Sequence, residues 1–157
     1  MPSKPLRILV LADTHNHLPP NVPEIAKGVD EIWHLGDVCA SSVLEQFEEL
    51  GPTVTLVRGN CDSNSDTPLV VDLVRNGVRF RLVHIPPSHG PENIDVLLHG
   101  HTHVPRNERR GDVLFKIPVM LRVPIEARQR ARLISTSDRT AESTGDYSNC
   151  AEKTTIV

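Results

Sequence analysis

The chain has 157 residues, a formal net charge of -3 with its histidines neutral, 38% hydrophobic residues and only 3% aromatic ones. That length suits one domain whose core needs no disulfide support, and with so few aromatics the core must be filled by Val, Leu and Ile, which favours a sheet with helices against it. The mild acidity supplies no basic face for a polyanion, so nucleic acid is not the expected partner.

The opening "MPSKPLRILVLAD" carries an apolar run too short for a signal-peptide core or a membrane span, which leads us to expect a soluble, cytoplasmic protein without a membrane partner. "RILVLADTHN" reads as the first strand and "VPEIAKGVD" as a short helix. A second strand, "EIWHLGD", is followed by "SSVLEQFEELGP", where Ser42 is expected to cap a helix with Glu45 three residues on, and Gly51 and Pro52 close it. "TVTLVRGNCD" is a third strand, so strand and helix alternate as in a parallel α/β sheet. In "VVDLVRNGVRFRLVH" the pair Asn76-Gly77 between extended runs predicts a hairpin, which makes the sheet system mixed. "DVLLHGHTH" and "GDVLFKI" are further strands, with "RNERR" between them read as an ordinary charged turn. The expected body therefore spans residues 1–117. Residues 118–157 form a divergent segment, partly disordered over 135–157, where aliphatics nearly vanish.

All eight histidines lie between positions 15 and 103, so the chemistry belongs to the body. Cys39, Cys61 and Cys150 are odd in number and lack paired spacing, which argues against a disulfide framework or a zinc-thiolate knuckle and for a reducing compartment. Successive strands end in Asp13 and His15, in Asp37, in Asn60, in His84, and in His101 and His103. Functional groups of an open α/β sheet collect outside the carboxyl ends of its strands, and each strand here delivers a metal-type ligand there. One such ligand is weak evidence, since Gly-Asp and Asn turns are common, but the set together outweighs a purely structural account. Two carboxylates, an amide oxygen and four imidazoles suit Mn, Fe, Ni, Co or Zn. They exceed one tetrahedral site and fit two ions about 3.5–4 Å apart sharing a carboxylate. His101 and His103 are expected to diverge toward different ions after Gly100. His84 ends a strand whereas its rival His89 sits in a Pro-rich loop, so His84 is preferred. His34 and His99, just inside their strands, are expected to be structural.

"ADTHN", "HLGD", "RGNCD", "LVH" and "LHGHTH" resemble the ordered motifs of the calcineurin-like metallophosphoesterases, in particular the small YfcE-like branch, over about residues 7–116. The resemblance implies Asp13, His15 and His103 on one ion, Asn60, His84 and His101 on the other, and Asp37 bridging. It implies an α/β fold, a two-sheet mixed β-sandwich flanked by helices, and an enzyme that uses Mn2+ or a similar pair of divalent ions to activate water against a small-molecule phosphodiester or phosphomonoester. A metal-bound water, Asp62 or His17 is the candidate for a general acid, Arg106 for a phosphate contact, and Cys61 is expected to be a packed thiol at the metal rim rather than a nucleophile. Relatives follow the strand ending near Lys116 with an Asn-Pro-Gly-Ser-type turn and further strands, and here "IPVMLRVPIEARQ" departs, so the C-terminal strands are expected to be missing or altered. Codons for residues 117 to 125, read one base out of register, can spell Asn-Pro-Gly-Asp-Ala-Ser-Ser-Pro-Asp, which gives the departure the form of a frame slip. The competing reading is a catalytically silent, protein-binding scaffold like the small retromer subunit. Self-association is left open.

Overall fold

The computed structural model describes residues 5–117 and the backbone of 121–125. Its elements are β1 (Leu6–Leu11), α1 (Val22–Ala26), β2 (Glu31–His34), α2 (Ser41–Glu49), β3 (Thr53–Leu56), β4 (Val70–Arg75), β5 (Val78–Val83), β6 (Val96–Leu98), β7 (Arg106–Arg110), β8 (Val113–Ile117) and β9 (Leu121–Ile125). They form two mixed sheets, ordered β3-β2-β1-β9 and β4-β5-β6-β8-β7. In the first, β1, β2 and β3 are parallel; in the second, β5, β6 and β8 are.

Side chains alternate across a strand, and β1 shows why its whole run is apolar. Ile8 and Val10 face the second sheet, where they pack with Trp33, Leu35, Phe80, Leu82, Val96 and Leu98. Leu9 and Leu11 face the helices and meet Val22, Ala26, Val43 and Phe47. The outer side of the second sheet is covered in part by Val83, Ile94, Leu97, Val113 and Phe115. Both faces of β1 are thus buried, as central strands of a layered α/β domain require. The strand ends are fixed in depth, and the loops that follow them emerge at one rim.

The hairpin forms at Asn76-Gly77, both residues at positive φ (50° and 79°), the backbone that a tight two-residue turn demands. Two local expectations need correction. α2 starts at Ser41, with Ala40 as N-cap and no side-chain cap bond, so Ser42 lies inside the first turn and caps nothing. The carbonyl of Ala40 accepts the N–H groups of Val43 and Leu44 instead. "RNERR" is the edge strand β7 and not a turn: Arg106 and Arg110, on one face, both bond Glu108 and lie over the Phe115 ring at 5.6 and 5.4 Å. The turn is displaced to Gly111, where φ is 59°.

β9 pairs antiparallel with β1 from Leu6↔Ile125 to Val10↔Leu121. The chain therefore returns to the first sheet beyond residue 117, the expected end of the body. The expectation of disorder over 135–157 lies outside the described residues. Among the described residues, no helix is long and apolar enough to cross a membrane.

Candidate metal centre

The loops after β1, β2, β3, β5 and β6 meet at one rim, held by bonds between loops. The N–H groups of Asp13, His15 and Asn16 donate to the carbonyls of Gly36, Asp37 and Val38 at 2.9–3.0 Å. The N–H of Gly100 donates to the carbonyl of His84 at 3.1 Å, and that of His101 to a carboxylate oxygen of Asp13 at 3.1 Å. Asp62 is the hub of this weave: its carboxylate accepts the N–H groups of Gly59 (2.7 Å), Cys39 (2.7 Å) and Asp37 (2.9 Å). Burial alone would raise its pKa, but these three donors outweigh burial and hold it below the ordinary carboxylate range. A group kept ionised in this way is poorly suited to deliver a proton, and we assign Asp62 to positioning.

Strain and close approach mark the same place. Of nine non-glycine residues with positive φ among those described, five are candidate ligands: Asp13, His15, Asp37, His101 and His103. Such backbone costs on the order of 1 kcal/mol or more per residue and persists where the surroundings enforce it, typically at functional sites. Gly59 is needed for contact, since a Cβ there would lie 2.0 Å from Asp37 Oδ1 and 2.2 Å from its backbone nitrogen. Gly100 similarly lets the chain approach Asp13.

The donor atoms converge in overlapping groups. Asp13, His15 and His103 present ligand atoms within 4.8 Å of one another, as do Asp13, Asp37 and His84. His103 Nε2 lies 3.3 Å from Asp13 Oδ1, and His84 Nε2 lies 3.4 Å from Asp37 Oδ2. Asn60 Oδ1 stands 2.9 Å from both His84 Nε2 and His101 Nδ1. All the sequence-predicted ligands are thereby brought together, with His101 turned to Asn60 and His103 to Asp13. Asp13 and Asp37 share their surroundings with imidazoles; burial raises the pKa of Asp13, and His103 and His84 oppose the rise.

The donor set fits a cation on an internal criterion. His84 is 2% exposed, and its Nδ1 lies 2.8 Å from the carbonyl oxygen of Leu35, which can only accept, so Nδ1 carries the proton. Nε2 faces the amide oxygen of Asn60 at 2.9 Å and the carboxylate of Asp37 at 3.4 Å. The Asn60 amide nitrogen is turned away and donates to Cys61 Sγ at 3.3 Å. Oxygens gathered round one ring nitrogen at such distances call for a positive charge among them, which a proton on Nε2 or a divalent ion with O and N ligands supplies.

Other candidates are placed differently. His34 is fully buried; its Nδ1 accepts the N–H of Gly36 and its Nε2–H donates to Thr14 Oγ1 at 3.1 Å, so it ties the Asp13 and Asp37 loops together. Burial lowers its pKa to about 3. His99 is buried too, with Nδ1–H directed at the carbonyl of Gly100 and its pKa lowered chiefly by burial. His89 lines a hollow of about 680 Å³ with Gly90, Arg110 and Val113, which none of the converging donors line. Arg106 is paired with Glu108, and His17 is exposed in the loop after Thr14. Cys61 is exposed and not packed. It lies beside Cys39, whose thiol burial pushes up to about 11, with the Cys61 thiol and the Asp37 and Asp62 carboxylates adding to the rise. Sequence reasoning missed this pairing and the tethering role of His34; the signals were the place of His34 in "HLGD" and of Cys39 and Cys61 just after "HLGD" and within "RGNCD".

A two-sheet sandwich flanked by helices, with carboxylate, amide and imidazole donors gathered at the strand ends, defines the metallophosphoesterase architecture. The chain belongs to the calcineurin-like phosphoesterase superfamily, whose domain model matches residues 6–132. It is 31% identical over 134 residues to phosphodiesterase YfcE of Escherichia coli K12, an alignment covering 74% of this chain and 65% of that protein, so it spans less than two thirds of that relative's length. The structure of YfcE, a phosphoesterase from E. coli, superposes with a TM-score of 0.59 at 28% identity, covering 76% of this chain and 82% of that one. Vps29 of Chaetomium thermophilum shares the fold, with a TM-score of 0.63 at 18% identity over 72% of this chain and 70% of that one.

Proposed function

We propose that this protein is a dinuclear metal-dependent phosphoesterase that hydrolyses a small-molecule phosphodiester or phosphomonoester with water as nucleophile. In this reading Asp13, His15 and His103 would hold one divalent cation, Asn60, His84 and His101 would hold the other, and Asp37 would be shared between them. The observation that carries it is the convergence at one rim of oxygen and nitrogen donors suited to a divalent cation, with Asn60 Oδ1 and Asp37 Oδ2 lying 2.9 and 3.4 Å from His84 Nε2. The two donor groups, Asp13 with His15 and His103 and Asp13 with Asp37 and His84, adjoin at Asp13, which supports two closely spaced ions; the bridging role of Asp37 rests on the family pattern. Mn2+ leads the candidates, with Fe, Ni, Co and Zn as alternatives that the same ligands accept.

When bound, such a pair of cations makes water more acidic and offsets the charge that develops on the phosphoryl oxygens. The chain's own groups supply position. Buried His84 and Asp37 form the floor, while exposed His15, His101 and His103 leave the outer side open to a phosphate ester. Each ring is oriented by its neighbours, His84 through Leu35 and the Asp13 loop through His34. No side-chain nucleophile is required, and the Cys61 thiol is a poor one, because the partial desolvation of its sulfur at the loop junction and the Asp37 carboxylate beside it raise its pKa. With Asp62 committed to backbone donors, exposed His17 is the side chain left to protonate a leaving group. Arg106 holds Glu108 through Nε, which leaves its outer guanidinium nitrogens for a phosphate contact. Free Cys39 and Cys61 suit the reducing cytoplasm.

The filled donor set favours an enzyme over a silent scaffold of the same fold. Metal-depleted protein titrated with Mn2+ in the presence of an aryl phosphodiester should gain saturable cleavage, and Asp37→Ala should abolish it while circular dichroism stays unchanged. Absence of Mn2+-dependent cleavage, or near-wild-type turnover by Asp37→Ala, overturns the reading.

A further inference from the structure

The loops after β1, β2 and β3 also gather a second donor group of different chemistry. His15, Cys39 and Cys61 present ring nitrogen and sulfur atoms that all lie within 4.8 Å of one another. No paired spacing marks it in the chain, because the two cysteines lie in separate loops. We propose that His15, Cys39 and Cys61 form a binding site for a thiophilic cation of the Zn2+ or Cd2+ type, which shares His15 with the oxygen-rich donor set beside it.

The geometry suits such an ion. Tetrahedral zinc, with bonds of about 2.3 Å to sulfur and about 2.0 Å to nitrogen, sets its ligand atoms roughly 3.5–3.8 Å apart. Cys39 Sγ lies 3.6 Å from His15 Nδ1. Both cysteine backbones are already anchored: the N–H of Cys39 donates to Asp62 Oδ1 at 2.7 Å and that of Cys61 to Asp37 Oδ1 at 2.9 Å. Closing the sulfurs onto an ion therefore takes side-chain rotation and leaves the loops in place. The amide of Asn60 donates to Cys61 Sγ at 3.3 Å, a bond that supports a metal-bound thiolate by spreading its charge. Two thiolates and an imidazole complete three positions of a tetrahedron, and the exposure of Cys61 leaves the fourth to water or an outside ligand. Uptake of the dication releases the two thiol protons, so the filled site is charge-neutral before any fourth ligand binds.

Soft sulfur ligands select against Mn2+ and Mg2+ and for zinc-group ions, so the two donor sets sort metals by chemistry. They meet at His15. A neutral imidazole has one lone pair, and giving it to the thiolate-held ion withdraws it from the neighbouring cation, so thiophilic ions act as inhibitors. This consequence rests on the phosphoesterase reading; the site itself does not.

The test uses the full chain, reduced, with its thiols counted, first metal-free and then saturated with Mn2+. Titration with Cd2+ should raise a thiolate-to-cadmium charge-transfer band that saturates at a single equivalent. Cys39→Ser and Cys61→Ser should weaken Cd2+ binding by about tenfold or more, and Cys150→Ser should leave it intact. Cd2+ should also protect Cys39 and Cys61 of the unaltered chain from iodoacetamide, as mapped by mass spectrometry, which needs no variant to fold. A band retained in the Cys39→Ser, Cys61→Ser double variant, a band lost in Cys150→Ser, or no protection overturns the site. Should the band form as stated while Mn2+ elicits no cleavage, the site stands and the phosphoesterase reading fails.

Discussion

Replacing Asp62 by Asn separates a positioning carboxylate from an acid catalyst. Asp62 Oδ2 accepts the N–H groups of Asp37 and Gly59, and Oδ1 accepts that of Cys39. An amide oxygen set in place of Oδ2 keeps two of these bonds, but the amide nitrogen then confronts the N–H of Cys39. One hydrogen bond to a charged acceptor is lost and a partly buried donor is stranded, which costs about 1.5–3 kcal/mol. Because the folded state holds Asp62 below its ordinary pKa, this contribution is fully present above the ordinary carboxylate range and is lost as the pH falls through the depressed value. At neutral pH, urea unfolding of Asp62→Asn should therefore show the full deficit. The Cys39 and Asp37 loop should loosen, so Mn2+ affinity should fall by about tenfold or more, as it does when a residue supporting a metal ligand is removed. If stability and Mn2+ affinity were unchanged and only turnover fell, with loss of the alkaline limb of the pH-rate profile, Asp62 would be the general acid and the positioning argument wrong.

Gly59→Ala puts a methyl 2.0 Å from Asp37 Oδ1, so we expect a stability loss of about 1–3 kcal/mol and no Mn2+ binding; calorimetry showing normal binding would refute the close approach. His34, with a folded pKa of about 3 against 6.5 unfolded, stays neutral in the fold while the unfolded chain takes up a proton. Stability should thus decline as the pH falls below about 6.5, by about 2 kcal/mol from this residue at about pH 5, and the decline should be shallower in His34→Gln. Parallel acid limbs for the two proteins in urea titrations would contradict this. The codon reading after Lys116 predicts that resequencing the source DNA across residues 117 to 125 finds a one-base difference that restores the Asn-Pro-Gly turn; an unaltered frame refutes it.

The layered fold was legible because β1 and β2 are apolar on both faces and Asn76-Gly77 forces a hairpin, both matters of local pattern. The ligands were legible for a related reason: each sits just past a strand, and strand ends share a rim. What stayed hidden depends on contacts between loops. Ser42 has the residue type of a cap, but where α2 begins is decided by how the chain leaves the Asp37 loop. "RNERR" has no apolar alternation to mark a strand, since an edge strand buries little, and its pairing to β8 appears only in three dimensions. Asp62 could not be told from an acid without the three N–H groups aimed at it. Cys39 and Cys61 meet because the Asp37 and Asn60 loops meet.

The claim on which the account depends most is that these loops hold a pair of ions. Electron paramagnetic resonance of the metal-depleted full chain, titrated with Mn2+, measures this most directly. The account predicts two ions per chain, with an exchange-coupled signal that collapses to an uncoupled one in Asp37→Ala. A single uncoupled ion per wild-type chain, or none, would contradict it.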